Sequence, residues 1–524
     1  MKPAELKCIA AMTLFAALAI PVQLGAQNSQ DRNRHHHYQV IDMGTFGGPT
    51  SFVGLSFNSF PDLNDRGVTV GNSATSVLTS PTSDFILCGG AIPNVFHAFE
   101  WQDGIVTDLG ALGTGANNCS EAGSVNASGE VSGMSEVDDI DPVLGVKELR
   151  AALWRHGQIV DLGTLGGTLS FANGAINDRG QIVGTATNAI PDPFSFIYLL
   201  AGSSNGTQTR AFLWQNGMMQ DIGTLGGPDA VAIYVNEHSQ VAGDSYTNFT
   251  PNPVTGLPPL DPFLWEKEKG MIDIGTLGGA WGYPTGVNNR GQVVGYSSLA
   301  TDAGACTAGG GSANCDVFLW DRGTLTDLTT TTNGGSPSFV FGINDAEEIV
   351  GAAAFPNAPM DAYIWRNGAA ADLGHLSDCY SLAFGINSQS QVVGGTFDCI
   401  DASHSRAFLW ENGAMVDLDD LVPPDSPLQL VEAAAINDRG EIAGNGVPPG
   451  VARKDFGTLG HAFLLIPCDE NHLGVEGCDY SLVDAHAAVP QTSPAVRDTR
   501  NPSLPRLRPT GPYHFPARAF GPED

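Results

Sequence analysis

The sequence predicts an all-β fold, a closed β-propeller of eight four-stranded blades in which the N-terminal strand completes the last blade. Three observations predict it. A three-part phrase recurs eight times between residues 38 and about 466. Its tryptophans, Trp101, Trp154, Trp214, Trp265, Trp320, Trp365 and Trp410, stand 53, 60, 51, 55, 45 and 45 residues apart, the length of four short strands with their turns. Lastly, the repeats open on an orphan fourth strand, Tyr38 to Gly44, and close on a unit that lacks one. Joined, those ends would leave no exposed sheet edge between them.

The third unit shows each element in order. Its first two strands, Ala172 to Ile176 and Gln181 to Thr185, flank Asn177-Asp178-Arg179-Gly180. Asparagine opens a turn by bonding its own backbone and glycine accepts positive φ, so this is a tight hairpin. Ala211-Phe212-Leu213-Trp214 forms the third strand and Met218 to Ile222 the fourth, joined by Asn216-Gly217. Asn-Gly between hydrophobic stretches is a strong hairpin signal. The fourth strand runs into Asp161-Leu162-Gly163-Thr164-Leu165-Gly166-Gly167 or its counterparts, which carry the chain to the next unit. The last unit supplies Ala434 to Asn437, Glu441 to Gly444 and His461 to Ile466, with Leu465 in the tryptophan's place. An open solenoid would not need complementary incomplete ends; a seven-bladed ring is the other alternative.

Outside the repeats the ends read differently. Residues 1–26 resemble a secretory signal peptide: Lys2 and Lys7, an apolar run from Cys8 to Ile20, and a cleavage point after Ala26. That run is too short to span a bilayer comfortably, and no later segment reaches transmembrane length. Residues 27–37 form a flexible lead-in, 38–467 the repeat domain, 468–484 a disulfide-capped segment and 485–524 a Pro/Arg-rich disordered tail. The expected location is outside the cytoplasm, extracellular or periplasmic. With 56 acidic against 24 basic residues, the formal charge of −32 argues against nucleic acid and anionic membranes as partners.

Cysteine usage fits export. Without Cys8 eight remain: Cys88, Cys119, Cys306, Cys315, Cys379, Cys399, Cys468 and Cys478. An even number in an exported chain suggests disulfides. Proximity suggests 306 with 315, 379 with 399, 468 with 478, and 88 with 119. Zinc is disfavoured, because no Cys-x-x-Cys spacing occurs.

His97-Ala98-Phe99 and His461-Ala462-Phe463, with Asp-Leu-Gly-Thr-Leu-Gly-Gly, resemble the bacterial extracellular HAF-repeat proteins over roughly residues 38 to 466. The resemblance implies secretion and a repeat architecture, and brings no catalytic residue or ligand. Arg210-Ala211-Phe212 and Asp261-Pro262-Phe263 depart from the motif at the histidine.

Functional residues are harder to nominate, since a residue present eight times usually builds eight similar units. The repeated aspartates (Asp42, Asp108, Asp161, Asp221, Asp273, Asp327, Asp372 and Asp417) sit before glycine-rich crossovers, where a carboxylate accepts turn amides. The repeated asparagines, Asn64 to Asn437, are read as hairpin residues. Length varies mostly between the second and third strands, as from Gly71 to Phe99, Gly184 to Phe212 and Gly295 to Phe318. Those loops share a face with the crossovers, which makes that face the expected binding surface. Within it Asp138, Asp139 and Asp141, beside Glu136, are calcium candidates without an EF-hand's spacing. His35-His36-His37 is an adventitious metal site at most, and Tyr198, Trp281 and Tyr283 are aromatics able to stack on sugars. No Ser-His-Asp set can be assembled. The expected function is a secreted, monomeric, non-enzymatic binding scaffold for a glycan or protein, without cofactor. The alternative is a polysaccharide-active hydrolase or lyase with carboxylates at the channel mouth, for which similar units give no marker.

Overall fold

The structure is a computed structural model that describes residues 34–484, apart from 55–61, 81–91, 173–175, 301–314, 332, 357, 377–378 and 399–403. The signal segment 1–26 and the tail from residue 485 lie outside the described residues. Within them the chain folds into largely antiparallel sheets, most of them built from consecutive strands. The third unit pairs Ser170–Phe171, Ile182–Pro191, Thr207–Gln215 and Met218–Asp221 in that order. Its hairpin forms because Asn216 and Gly217 take φ of 54° and 83°, which lets Gln215 pair with Met218.

The Val-Gly of each second strand has a packing cause. A Cβ on Gly184 would lie 2.0 Å from the Phe171 carbonyl and 2.8 Å from the Phe212 ring. Phe212 is fully buried, as are Phe99, Phe263, Phe318, Phe408 and Phe463 in its place in other units. Bare glycine backbone is the floor on which each phenylalanine lies. Successive units then bury their faces against each other. Val70 and Ala98 of the first unit, for instance, pack on Ala122, Val125 and Trp154 of the second. No unit could bury such a face alone.

The hairpin asparagines do more than shape turns. Asn177 Oδ1 accepts from the amides of Arg179 and Gln181, while Nδ2 reaches the next unit and donates to the Asn236 carbonyl at 3.0 Å. Asn64, Asn126, Asn236, Asn288, Asn344 and Asn387 each donate in the same way to the asparagine carbonyl of the following unit. Asn437 donates to Asn64, so the circuit returns to its start. The strand Tyr38–Asp42 pairs antiparallel with His461–Pro467 of the last unit.

The expected closed propeller of eight separate four-stranded blades needs correction. Every sheet is an open path of strands, and the sheets are not uniform. The fourth and fifth units share one eight-stranded sheet through the parallel pairing of Leu260 with Trp281. Trp281, outside the tryptophan series, packs with Tyr246, Leu257 and Leu260 and draws its crossover against the fourth unit. The sixth unit gains a fifth strand, Asn333–Gly334. The all-β, repeating character stands; the closed propeller of uniform, separate blades does not.

At the ends, Arg34–His36 pairs with Leu482–Asp484. Cys468 and Cys478 are disulfide-bonded. Cys119, Cys315 and Cys379 are disulfide-bonded too, while Cys88, Cys306 and Cys399 lie outside the described residues. His35 is buried and its Nδ1 lies 2.7 Å from Glu411. Among the described residues no helix is long and apolar enough to cross a membrane.

Candidate functional site

The repeated aspartates are turn residues. Each accepts the backbone amide two positions on, as Asp161 does from Gly163 and Asp221 from Gly223 at 2.8 Å. The residue before Ala-Phe in the third strand faces this carboxylate. His97 and His461 lie 2.9 Å from Asp108 and Asp42, and Arg210 and Arg406 pair with Asp221 and Asp417. The histidine of the phrase is thus one of two basic residue types that partner the same carboxylate. Units four to six break the rule by placing Asp261, Asp316 and Asp361 there. Burial, and then the charge of Asp273, pushes Asp261 up to about 7. Asp316 rises to about 6, by burial and then by Asp327. In the sixth unit His375 sits 2.9 Å from Asp361 and supplies the basic partner.

The calcium candidates do not converge. Asp138 accepts from Thr114 N and Oγ1 and from Asn118 Nδ2, which hold its carboxyl well below the usual range. Asp141 is fully buried under Tyr198 and Thr168, and Glu136 is buried with Lys147. Asp139 is exposed, with its own side chain turned to solvent. No trio of His, Cys, Asp or Glu that could hold a metal ion occurs among the described residues. Of the sugar-stacking candidates, Tyr198 is tied to Asp141 at 2.8 Å, Tyr283 packs tilted against Tyr296, and Trp281 is buried.

A different cluster unites buried carboxyls with an aromatic wall. Asp192 lies in the long loop of the third unit, Asp229 ends the crossover into the fourth, and Asp244 and Tyr246 stand on that unit's second strand. Their exposures are 5%, 2%, 4% and 0%. Asp229 latches the loop: its oxygens accept from Phe196 N at 2.7 Å and Thr209 N at 2.8 Å. Asp192 lies close enough to Asp229 for its charge to act on the Asp229 carboxyl. Burial, and then the charge of Asp192, raises Asp229 well above the carboxylate range, so it holds a proton at neutral pH. Burial alone pushes Asp244 up to about 7.

Three polar atoms here lack an N–H or hydroxyl partner: Asp192 Oδ2, Asp244 Oδ1 and the Tyr246 hydroxyl. The cause at Asp244 is visible in the repeat. Asn72 and Tyr296, in the same place after the Val-Gly, bond the amides of Ala122 and Val340 in the next unit. Those amides stand four residues before Asn126 and Asn344; four before Asn288 stands Pro284, which has no N–H. Tyr246 lies near enough to all three carboxylates for their charges, after burial, to raise its phenol. Tyr246, Leu257, Leu260 and Trp281 form the apolar wall, with Phe194 and Leu199 packed against it. The two bordering loops expose Ile190, Phe249 and Val254.

This cluster overturns the expectation of a non-enzymatic scaffold. That reading rested on near-identical units without a pattern-breaking polar group. The third to fifth units hold one, with carboxyls whose proton affinity burial raises, the kind of perturbed group that marks a candidate active site. Sequence reasoning missed it because three segments contribute, although Asp244 and Pro284 both depart from their repeat positions.

No family model and no curated protein matches this chain. Among solved structures it is similar to an acylaminoacyl peptidase of Pyrococcus horikoshii (TM-score 0.37, 11% identity, 75% of this chain and 57% of that one). It is similar also to an oligogalacturonate lyase in complex with manganese (0.37, 11%, 81% and 99%). A third is dipeptidyl peptidase 4 of Porphyromonas gingivalis (0.40, 9%, 74% and 57%). The chain spans little more than half of the two peptidases. Likenesses at these TM-scores carry no activity to this chain.

Proposed function

We propose that this chain is an exported enzyme that cleaves a glycan by acid–base catalysis at Asp192, Asp229 and Asp244. The observation that carries the reading is the buried neighbouring carboxyls Asp192 and Asp229 beside a third, Asp244, with Asp192 Oδ2 and Asp244 Oδ1 lacking a hydrogen-bond donor. A glycosidase uses two carboxyls roughly 5–10 Å apart. Here Asp192 and Asp229 together are read as a single acid, and Asp244 as the second group. Asp229 gives its proton to the glycosidic oxygen as the C–O bond breaks. Asp244 takes a proton from the water whose oxygen bonds to the anomeric carbon. One water is consumed, and the proton gained at Asp244 replaces the one lost from Asp229 after product leaves. The Tyr246 hydroxyl is free to hold a substrate oxygen. Entry displaces the loop from Asp192 to Gly206, which Asp229 latches in the unliganded chain.

Export is part of the proposal, supported by the bonded cysteines and the signal-like N-terminus. The HAF-type reading is supported by the pairing of His97 and His461 with the repeated aspartates.

The test is release of reducing ends from a panel of polysaccharides. Asp229→Asn and Asp244→Asn should each lower turnover about 100-fold or more while the thermal melt holds. No released ends from any glycan, or full activity in the double variant, overturns the assignment. A pair of neighbouring carboxyls also suits peptide hydrolysis, which peptide release from a mixed substrate would reveal.

A further inference from the structure

We propose that the glycan this site takes is built of amino sugars, whose ammonium groups bind the free oxygens of Asp192 and Asp244 and the acid pairs of units four and five. The inference rests on reading the Asp192–Asp229–Asp244 cluster as the substrate site, and it names the substrate class.

The geometry points to a cation. Three carboxyls and a phenol are buried together, and among the described residues no Lys, Arg or His is seen in an ion pair with Asp192, Asp229 or Asp244. Arg210, on the third strand of the same unit as Asp192, is engaged by Asp221 and by the Pro228 carbonyl instead. The unpartnered Asp192 Oδ2 and Asp244 Oδ1 accept hydrogen bonds and donate none when ionised. A sugar hydroxyl fills one acceptor; an ammonium carries three donors and also repays the desolvated charge. The Tyr246 hydroxyl, fully buried and without a partner, completes a polar lining against the Trp281 wall.

The surroundings repeat the pattern at unit spacing. Units one, three, seven and eight give the aspartate before the crossover a basic partner, but Asp273 meets Asp261 and Asp327 meets Asp316. These acid pairs end their strands on the face that carries Asp192 and Asp229. Burial and mutual repulsion raise their proton affinity, a cost that a bound cation removes. A polymer with a positive charge on every residue meets such pairs in series. A polyuronate meets repulsion at each, within a chain of net charge −32.

The experiment is calorimetric titration of the whole chain with three oligosaccharides of equal length: β-1,4-linked glucosamine, its fully N-acetylated form, and galacturonate. Glucosamine oligomers should bind, more weakly as salt rises. The acetylated oligomer should bind about tenfold more weakly or worse, having lost a charge-assisted hydrogen bond. Galacturonate should not bind. The double variant Asp261→Asn/Asp316→Asn should lose several-fold in affinity for the amine form only, with its melt unchanged. Equal binding of amine and acetylated oligomers, or binding of galacturonate, overturns the inference. Amine-selective binding without cleavage leaves the inference standing and removes the catalytic reading. Cleavage of neutral glycans without preference for the amine does the reverse.

Discussion

Replacing Asn288 with alanine should destabilise the fold by roughly 3–5 kcal/mol, far more than an ordinary turn substitution. Asn288 Oδ1 accepts from Arg290 N and Gln292 N, both at 3.0 Å. Its Nδ2 donates to Gln292 Oε1 at 2.8 Å and across the unit boundary to the Asn344 carbonyl at 3.0 Å. Arg290 N can turn to water and the Asn344 carbonyl keeps Glu347 N. Gln292, almost wholly buried, strands its amide at a cost of about 1–3 kcal/mol, and the other lost bonds add about 1 kcal/mol each. Asn288→Asp keeps both accepted bonds and loses the donated pair, so it should cost about half as much. Urea unfolding followed by tryptophan fluorescence reads both. An alanine effect below about 1 kcal/mol, or an aspartate as damaging as alanine, would show that the circuit does not hold neighbouring units.

Three further outcomes follow from groups already described. Glu121 is raised to about 8 and Asp244 to about 7 by burial, so between the unfolded carboxylate range near pH 4 and these values the folded chain holds more protons. Their stabilising contribution is complete at low pH and is lost as pH climbs; the melting temperature should fall from pH 5 to pH 8, and Glu121→Gln should flatten that slope. Lys147→Met strands buried Glu136 and should cost roughly 3–5 kcal/mol, most of it recovered by adding Glu136→Gln, which a double-mutant cycle measures. Removing the Cys468–Cys478 bond, which spans 10 residues, should cost about 2–3 kcal/mol on denaturant unfolding with the cap formed.

What the sequence revealed was local. Asn216-Gly217 read as a hairpin and is one; Tyr38–Asp42 read as a stray fourth strand and pairs with His461–Pro467. The asparagines read as turn formers because their Oδ1 partners lie two and four residues away. Their Nδ2 partners lie roughly a unit away, as from Asn236 to Asn288, which no local pattern displays. Trp281 stood outside the tryptophan series, but nothing in its neighbours along the chain told that it would bond its crossover to Leu260. Asp192 and Asp229 are ordinary loop aspartates until a third unit's loop folds over a fourth unit's crossover. The proton on Asp229 is a property of burial and proximity, and neither aspartate has a sequence motif.

The pairing of Tyr38–Asp42 with His461–Pro467 sets the order of events when the chain is made. Once made, Tyr38–Asp42 waits, with its backbone groups unpaired, for a partner synthesised more than four hundred residues later. An early stop, or a protease cut before residue 461, leaves two orphaned edges on one molecule, each a template for another copy. Truncated products should therefore aggregate as a class, wherever they end. Full-length chains escape only by surviving that wait, during translation and, if exported, through the crossing as well.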